Sequence, residues 1–274
     1  MKINSSKLEK LIRQIAKQKL LPRFTKVTHS HKADGSIVTE ADIETQNAIE
    51  KALSEEWPDI AFLGEEMTIQ EQENILHSGK AVWCLDPLDG TSNFAGAIPY
   101  FAVSLSLIHN EEVILGLVYD PIRDESFLAK YSDDSELQCT LNGKILKPGN
   151  TSTNLDKCIA IIDFKRLSDD LATKLVCERP FSSQRNFGAS ALDWCWLAAG
   201  RGHIYLHGNQ NLWDYAAGEL IFKAAGGKAC TLEGQSIYKK QIIKRSIVAA
   251  VNQDLFDEWC SWLGVNAQTF NTGR

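Results

Sequence analysis

The chain has 274 residues, of which 44% are apolar and 23% charged, and a formal net charge of −6. A chain of this length buries a full core, which excludes a disordered segment and a mini-protein held together by metal or disulfides. A negative balance without a long basic run argues against nucleic acid as the main ligand, because binding to phosphate backbones needs Lys and Arg gathered on one surface.

In chain order, Leu8, Leu11, Ile12 and Ile15 fall at helical spacing within residues 4–20, and Pro22 ends the pattern. The segment lacks the apolar block and cleavage site of a signal peptide. The longest apolar runs, Ile159–Ile162 and Ile247–Val251, fall far short of the roughly 20 residues of a spanning helix. A cytoplasmic location follows as an expectation. A polar segment, His29–Ser36, precedes a second helix that Thr39 caps, with Asp42 as its third-position acid, and that runs to about Ser54. Ile60–Gly64 reads as a strand ending in Glu65-Glu66, followed by an acidic, glutamine-containing stretch at Thr68–Ser78 and a strand at Ala81–Leu85. Runs between Tyr100 and Leu128 predict an antiparallel meander.

The polar stretch Lys147–Asp156 marks the expected boundary between an N-terminal α+β part (1–150) and a C-terminal α/β part (151–274). Beyond it, strands at Cys158–Ile162, near Ser183, at Gly202–Leu206 and at Ile247–Ala250 alternate with helices at Ser168–Val176, Ala189–Ala199 and Asp214–Ala225. Seven cysteines, at 84, 139, 158, 177, 195, 230 and 260, include no Cys-x-x-Cys pair. They read as buried free thiols of a reducing compartment.

The most informative segment is Trp83-Cys84-Leu85-Asp86-Pro87-Leu88-Asp89-Gly90-Thr91-Ser92-Asn93-Phe94. An apolar strand runs into two carboxylates, a glycine that permits a tight turn, and hydroxyls. Carboxylates beside free backbone N–H groups make a cation site next to an anion site, and Mg²⁺ is commonly held by a few carboxylates together with substrate phosphate. Asp-Pro and Asp-Gly are equally common as turn and capping residues, so the string by itself leaves both readings open. Gly64-Glu65-Glu66 and Trp213-Asp214-Tyr215-Ala216-Ala217-Gly218 add further carboxylates next to predicted elements.

With these motifs in this order, together with Lys32, Thr39-x-x-Asp42 and Ala224-Ala-Gly-Gly227, the chain resembles the inositol monophosphatase family of Mg²⁺-dependent, Li⁺-sensitive phosphomonoesterases over nearly its whole length. The resemblance implies a layered α/β fold, a five-layer α-β-α-β-α sandwich with mixed sheets. It implies two to three Mg²⁺: one held by Glu65, Asp86 and the Leu88 carbonyl, one by Asp86, Asp89 and Asp214, and a weaker one helped by Glu65. Thr91 and Asp42 would work on the nucleophilic water, and Lys32 resembles a lysine of the family's mobile loop. For Asp42, a first-turn acid favoured by the helix dipole is the other reading. The phosphate would meet Asp89, Gly90 and Thr91, and the alcohol would meet Arg185, Gly188, Ala189, Ser190, His207 and Asp214. Homodimerisation is implied as well.

Charge arithmetic supports this independently. Four carboxylates repel a phosphate dianion, whereas two or three divalent cations bring the site to between about 0 and +2. His207 stands where polyol-cleaving members commonly carry a carboxylate, which puts myo-inositol selectivity in question; a neutral ring nitrogen can still accept from a hydroxyl. His203 and His207 have zinc-ligand spacing only on a helix. On the strand expected here they would lie about 13 Å apart. Trp194, Trp196 and Trp213 read as core, and Ser190 lacks the setting of a serine hydrolase. The expectation is a phosphatase of a small phosphorylated polyol or sugar. Phosphatases of 3′-phosphoadenosine 5′-phosphate, fructose 1,6-bisphosphate or histidinol phosphate are rivals, and the alternative of another class is an interaction protein that binds RNA or the transcription machinery.

Overall fold

The computed structural model describes residues 3–24, 29–31, 37–132, 136–146 and 154–266. Helix α1 (Ser5–Lys19) buries Leu8, Ile12 and Ala16, and the Asn4 side chain caps it by accepting from the Lys7 N–H. A short antiparallel pair, β1 (His29–His31) and β2 (Ile37–Thr39), leads into α2 (Glu40–Glu56), which Thr39 and Asp42 open as a capping box. After β3 (Ala61–Gly64), the polar stretch at 68–78 folds as helix α3 (Ile69–Leu76), begun by a second capping box of Thr68 and Glu71.

Then come β4 (Val82–Asp89), the single turn α4 (Thr91–Ala95), and the meander β5 (Ala102–His109), β6 (Glu112–Asp120), β7 (Glu125–Tyr131), β8 (Leu137–Leu141) and β9 (Lys144–Ile145). Strands β3 to β9 form a seven-stranded sheet in sequence order, parallel between β3 and β4 and antiparallel elsewhere.

The remainder runs β10 (Ile159–Asp163), α5 (Asp169–Glu178), β11 (Ser183–Arg185), α6 (Ser190–Ala198), β12 (Ile204–Gln210), α7 (Leu212–Ala224), β13 (Lys228–Cys230), β14 (Arg245–Ala250) and α8 (Gln253–Leu263). Its five-stranded sheet has the order β11-β10-β12-β14-β13. Strand β10 is parallel to both neighbours, and β14 is antiparallel to both of its own. The two sheets therefore lie on either side of the expected boundary, whose residues 147–153 are outside the described residues.

Helices α1 and α2 cover one face of the large sheet, burying Ile49 and Leu53 with Trp83, Leu85 and Leu105. Helices α6 and α7 lie between the sheets, and α5 and α8 form the outermost layer, joined where Lys174 donates to the Trp262 carbonyl at 2.8 Å. This is the expected α-β-α-β-α order. The middle layer depends on Gly116 of β6: a Cβ there would lie 2.6 Å from the Ala217 carbonyl oxygen of α7. All seven cysteines are free thiols; six are buried, but Cys177 is exposed, contrary to the expectation for the set.

Candidate active site

Along β4, Val82 and Cys84 face the core shared with α7, while Trp83 and Leu85 face the core under α1 and α2. Strict alternation would send Asp86 and Asp89 to opposite faces. Asp86 instead pairs with Ser104 and Asp89 with Ala102, so three steps on β4 match two on β5. This one-residue bulge contains Pro87, whose missing N–H is tolerated where the ladder is interrupted. Leu88 then joins the α1/α2 core, and Asp89 turns to the same cleft as Asp86.

Gly90 follows at φ +91°, a left-handed conformation that suits glycine, and a Cβ on it would approach the Ala189 Cβ to 2.9 Å. It carries the chain from β4 into α4 tight against α6. Glu65 enters from the end of β3, where its N–H donates to the Leu85 carbonyl at 3.1 Å. The Gln46 side chain of α2 fixes the next residue by accepting from the Glu66 N–H at 3.2 Å. Asp214 sits in the first turn of α7, its Oδ2 accepting from the Asn211 N–H at 2.8 Å and from the Asn211 side-chain amide at 3.2 Å. Asp89 is held by the N–H groups of Ser190 at 3.0 Å and Ala191 at 2.8 Å, at the start of α6.

Glu65, Asp86, Asp89 and Asp214 line one cleft of about 340 Å³. Burial, reinforced by Glu65, Asp89 and Asp214, drives the Asp86 carboxyl well above the usual range. Burial, with Asp214 next, pushes Asp89 up to about 8; burial, with Glu65 next, pushes Asp214 up to about 7. Groups that disfavour one another's ionisation in this way need positive charge from outside the chain to be ionised together. Among the described residues no three His, Cys, Asp or Glu side chains converge into a closed cage. The carboxylates form an open array of hard oxygen donors, a set that fits a divalent cation which keeps part of its water and takes up phosphate oxygens.

Asp42 stands behind Thr91 rather than in the wall. Its Oδ2 accepts from the Thr39 N–H at 2.8 Å, and its Oδ1 lies 3.2 Å from the Thr91 hydroxyl, which is also 3.0 Å from the Leu88 carbonyl. Burial pushes Asp42 up to about 6 against the lowering effect of the Thr39 hydrogen bonds.

Of the other residues singled out from sequence, Leu88, Gly90, Thr91, Gly188, Ser190 and His207 line the cleft. Ala189 is buried beneath it. Arg185 is not among the lining residues; its guanidinium folds back onto its own strand and donates to the Ser183 hydroxyl at 2.7 Å and the Gln184 carbonyl at 2.8 Å. Lys32 lies outside the described residues. His203 and the following β12 are extended up to His207, as expected, and Trp194 is fully buried.

Both ring nitrogens of His207 are engaged. Nδ1 accepts from the Asn209 N–H at 3.1 Å, and Nε2 lies 3.3 Å from Asp163. Sequence reasoning missed Asp163, Lys165, Arg166, Asp193 and Lys244, which also line the cleft. A signal was available, because open α/β sheets bind ligands beyond the carboxyl ends of parallel strands. Asp163 and His207 are paired at those ends of β10 and β12.

The inositol monophosphatase family model matches residues 4–262, and the chain belongs to that family, a family of phosphomonoesterases. It is 31% identical to the inositol-1-monophosphatase of Caulobacter vibrioides over 84% of this chain and 88% of the relative. It is 31% identical to the Nus factor SuhB of Salmonella typhimurium over 77% of this chain and 78% of the relative. Among solved structures, an inositol monophosphatase of Thermotoga maritima superposes with a TM-score of 0.79 at 26% identity, covering 95% of this chain and 96% of the other. No helix among the described residues is long and apolar enough to cross a membrane.

Proposed function

We propose that the chain hydrolyses the phosphate monoester of a small polyol or sugar, with Mg²⁺ held by Glu65, Asp86, the Leu88 carbonyl, Asp89 and Asp214. The observation that carries this reading is the open array of four carboxylates, three of which are pushed far above their usual range. When bound, divalent cations would supply the charge that admits a phosphate dianion and would make water acidic enough to react near neutral pH. The chain's own groups do the rest. Thr91 can pass its hydroxyl proton to Asp42 while its oxygen accepts from water, so the pair forms a relay at the cleft wall. Asp42 is anchored for this by the Thr39 N–H, which leaves Oδ1 directed at Thr91. The backbone at Gly90 and Thr91 and the turn at Gly188–Ser190 flank the place where the ester would lie.

The test is phosphate release at neutral pH from inositol 1-phosphate, fructose 1,6-bisphosphate, 3′-phosphoadenosine 5′-phosphate, histidinol phosphate and NADP, with Mg²⁺ and with EDTA. Mg²⁺-dependent release from one member far above the rest supports the reading, and no release from any of them by folded protein refutes it. The resemblance to Nus factor SuhB favours a second reading, binding to the transcription machinery. A pull-down whose specific partner survives Asp89→Asn but is lost on charge reversal of surface lysines would support it, and no specific partner would remove it. Family resemblance also suggests a homodimer in the cytoplasm, which sedimentation and fractionation test.

A further inference from the structure

The wall of the cleft opposite the carboxylates carries positive charge. Lys165 and Arg166 sit on a single 3₁₀ turn, Phe164–Arg166, that follows β10, and Lys244 precedes β14. None of the three makes an ion pair within the chain among the described residues. Three such cations do not gather at one end of a cleft by the ordinary economy of surfaces, where Lys and Arg are interspersed with acids.

The turn is also fixed in place. Asp163 caps it, with Oδ1 accepting from the Lys165 N–H at 3.0 Å, and the other carboxylate oxygen is held by His207 Nε2 at 3.3 Å. The His207 imidazole is oriented in turn by the Asn209 N–H. The Arg166 carbonyl packs directly on Gly208, where a Cβ would overlap that carbonyl. His207 therefore serves as a pin for the basic turn, with no nitrogen left over for a substrate hydroxyl.

We propose that Lys165, Arg166 and Lys244 form a second anion subsite, so that the substrate is a small molecule carrying two phosphates, one for the carboxylate end of the cleft and one for this wall. The inference rests on the phosphatase reading above and narrows it. A cleft of about 340 Å³ has room for a compact bisphosphate but is at the small end of ligand sites, which run from about 300 to 1,000 Å³. Guanidinium and ammonium donors are the groups suited to a phosphate oxygen set. Lys244 is near enough to the other end for its charge to lower the Asp214 carboxyl against the burial that raises it.

The experiment uses matched pairs that differ only in the second phosphate: fructose 1,6-bisphosphate against fructose 1-phosphate, and adenosine 3′,5′-bisphosphate against adenosine 3′-phosphate. Both are assayed by phosphate release with Mg²⁺, and binding is measured separately by calorimetry. Wild type should prefer the bisphosphate of at least one pair by about tenfold or more in kcat/KM and in affinity, and the pair that responds separates a sugar from a nucleotide source. Because the cations are exposed, the preference should shrink as salt is raised. In Lys165→Gln/Arg166→Gln the preference should collapse toward parity, and in Gly208→Ala, which displaces the turn without removing charge, it should fall as well. Equal use of both members of each pair, or a preference that survives the double variant, overturns the subsite while leaving the phosphatase reading intact. No release from any of the four esters by folded, Mg²⁺-supplied protein overturns both.

Discussion

Asp214→Asn should make the metal-free protein more stable while abolishing turnover. Only Oδ2 of Asp214 caps α7, and the amide oxygen of Asn can keep the bond from the Asn211 N–H, so the helix start survives the change. What disappears is a charge that burial and Glu65 disfavour. The carboxyl titrates near pH 7 in the folded chain against the usual 3.8. A raised folded value means that the native state holds the proton longer than the unfolded state does. The penalty is therefore absent below about pH 3.8, grows between 3.8 and 7, and is constant above 7. A difference of about three pH units, at about 1.4 kcal/mol each, sets an upper limit of roughly 4 kcal/mol. For a chain of this size that corresponds to a rise in Tm of about 10 °C at pH 8, and less than half of it should remain at pH 5. Calorimetric melts in EDTA at several pH values, repeated with MgCl₂, read this directly. Mg²⁺ should raise the wild-type Tm more than that of the variant. A variant that melts below wild type at pH 8 in EDTA, or a gain that does not change with pH, would refute the electrostatic account of the site.

Asp42→Asn removes the acceptor for the Thr91 proton, and kcat should fall by about 100-fold or more with the melt little changed. Wild-type turnover should decline as pH drops below about 6, where Asp42 takes up a proton; a flat profile from pH 5 to 8 would count against its role. EDTA should eliminate phosphate release, Mg²⁺ should restore it, and Li⁺ should inhibit at millimolar concentration, so that indifference to all three would contradict the proposed chemistry. Gly116→Ala places a methyl group 2.6 Å from the Ala217 carbonyl oxygen and should cost about 3 kcal/mol by overpacking. The urea midpoint reads that loss, and activity should fall with it because Asp214 is carried on the helix that must move.

The three acidic motifs were legible because each is local: Glu65 ends a strand, Asp86 and Asp89 end another, and Asp214 opens a helix. The Thr39–Asp42 helix start was legible for the same reason. Helix α3 was passed over although Thr68-x-x-Glu71 carries the same signature, since its short polar sequence offers little apolar periodicity. Helix α8 was missed despite Leu255, Phe256, Trp259 and Cys260 at helical spacing after a capping Asn252. Whether Arg185 reaches the cleft depends on its rotamer and its neighbours on β11, which no spacing rule encodes. The basic wall was hidden because it joins the ends of β10 and β12 and a loop before β14, segments far apart in the chain. His207 drew attention by its position in the motif, but its partners, Asp163 and Asn209, give it a different task.

The bulge in β4 has a consequence for how this segment can change over time. One surplus residue between Asp86 and Asp89 acts as a phase shifter that brings two side chains of opposite parity onto one face. Substitution at Pro87 or Leu88 alters shape and packing yet preserves parity. Deleting either residue would restore regular pairing, and the Asp that follows would then be phased two residues after Asp86 along an even ladder, with Gly90 and Thr91 drawn one step back into the strand. The stretch is thus tolerant in composition but rigid in length, and a single-residue deletion there should silence the chain more completely than any single replacement of the residue deleted.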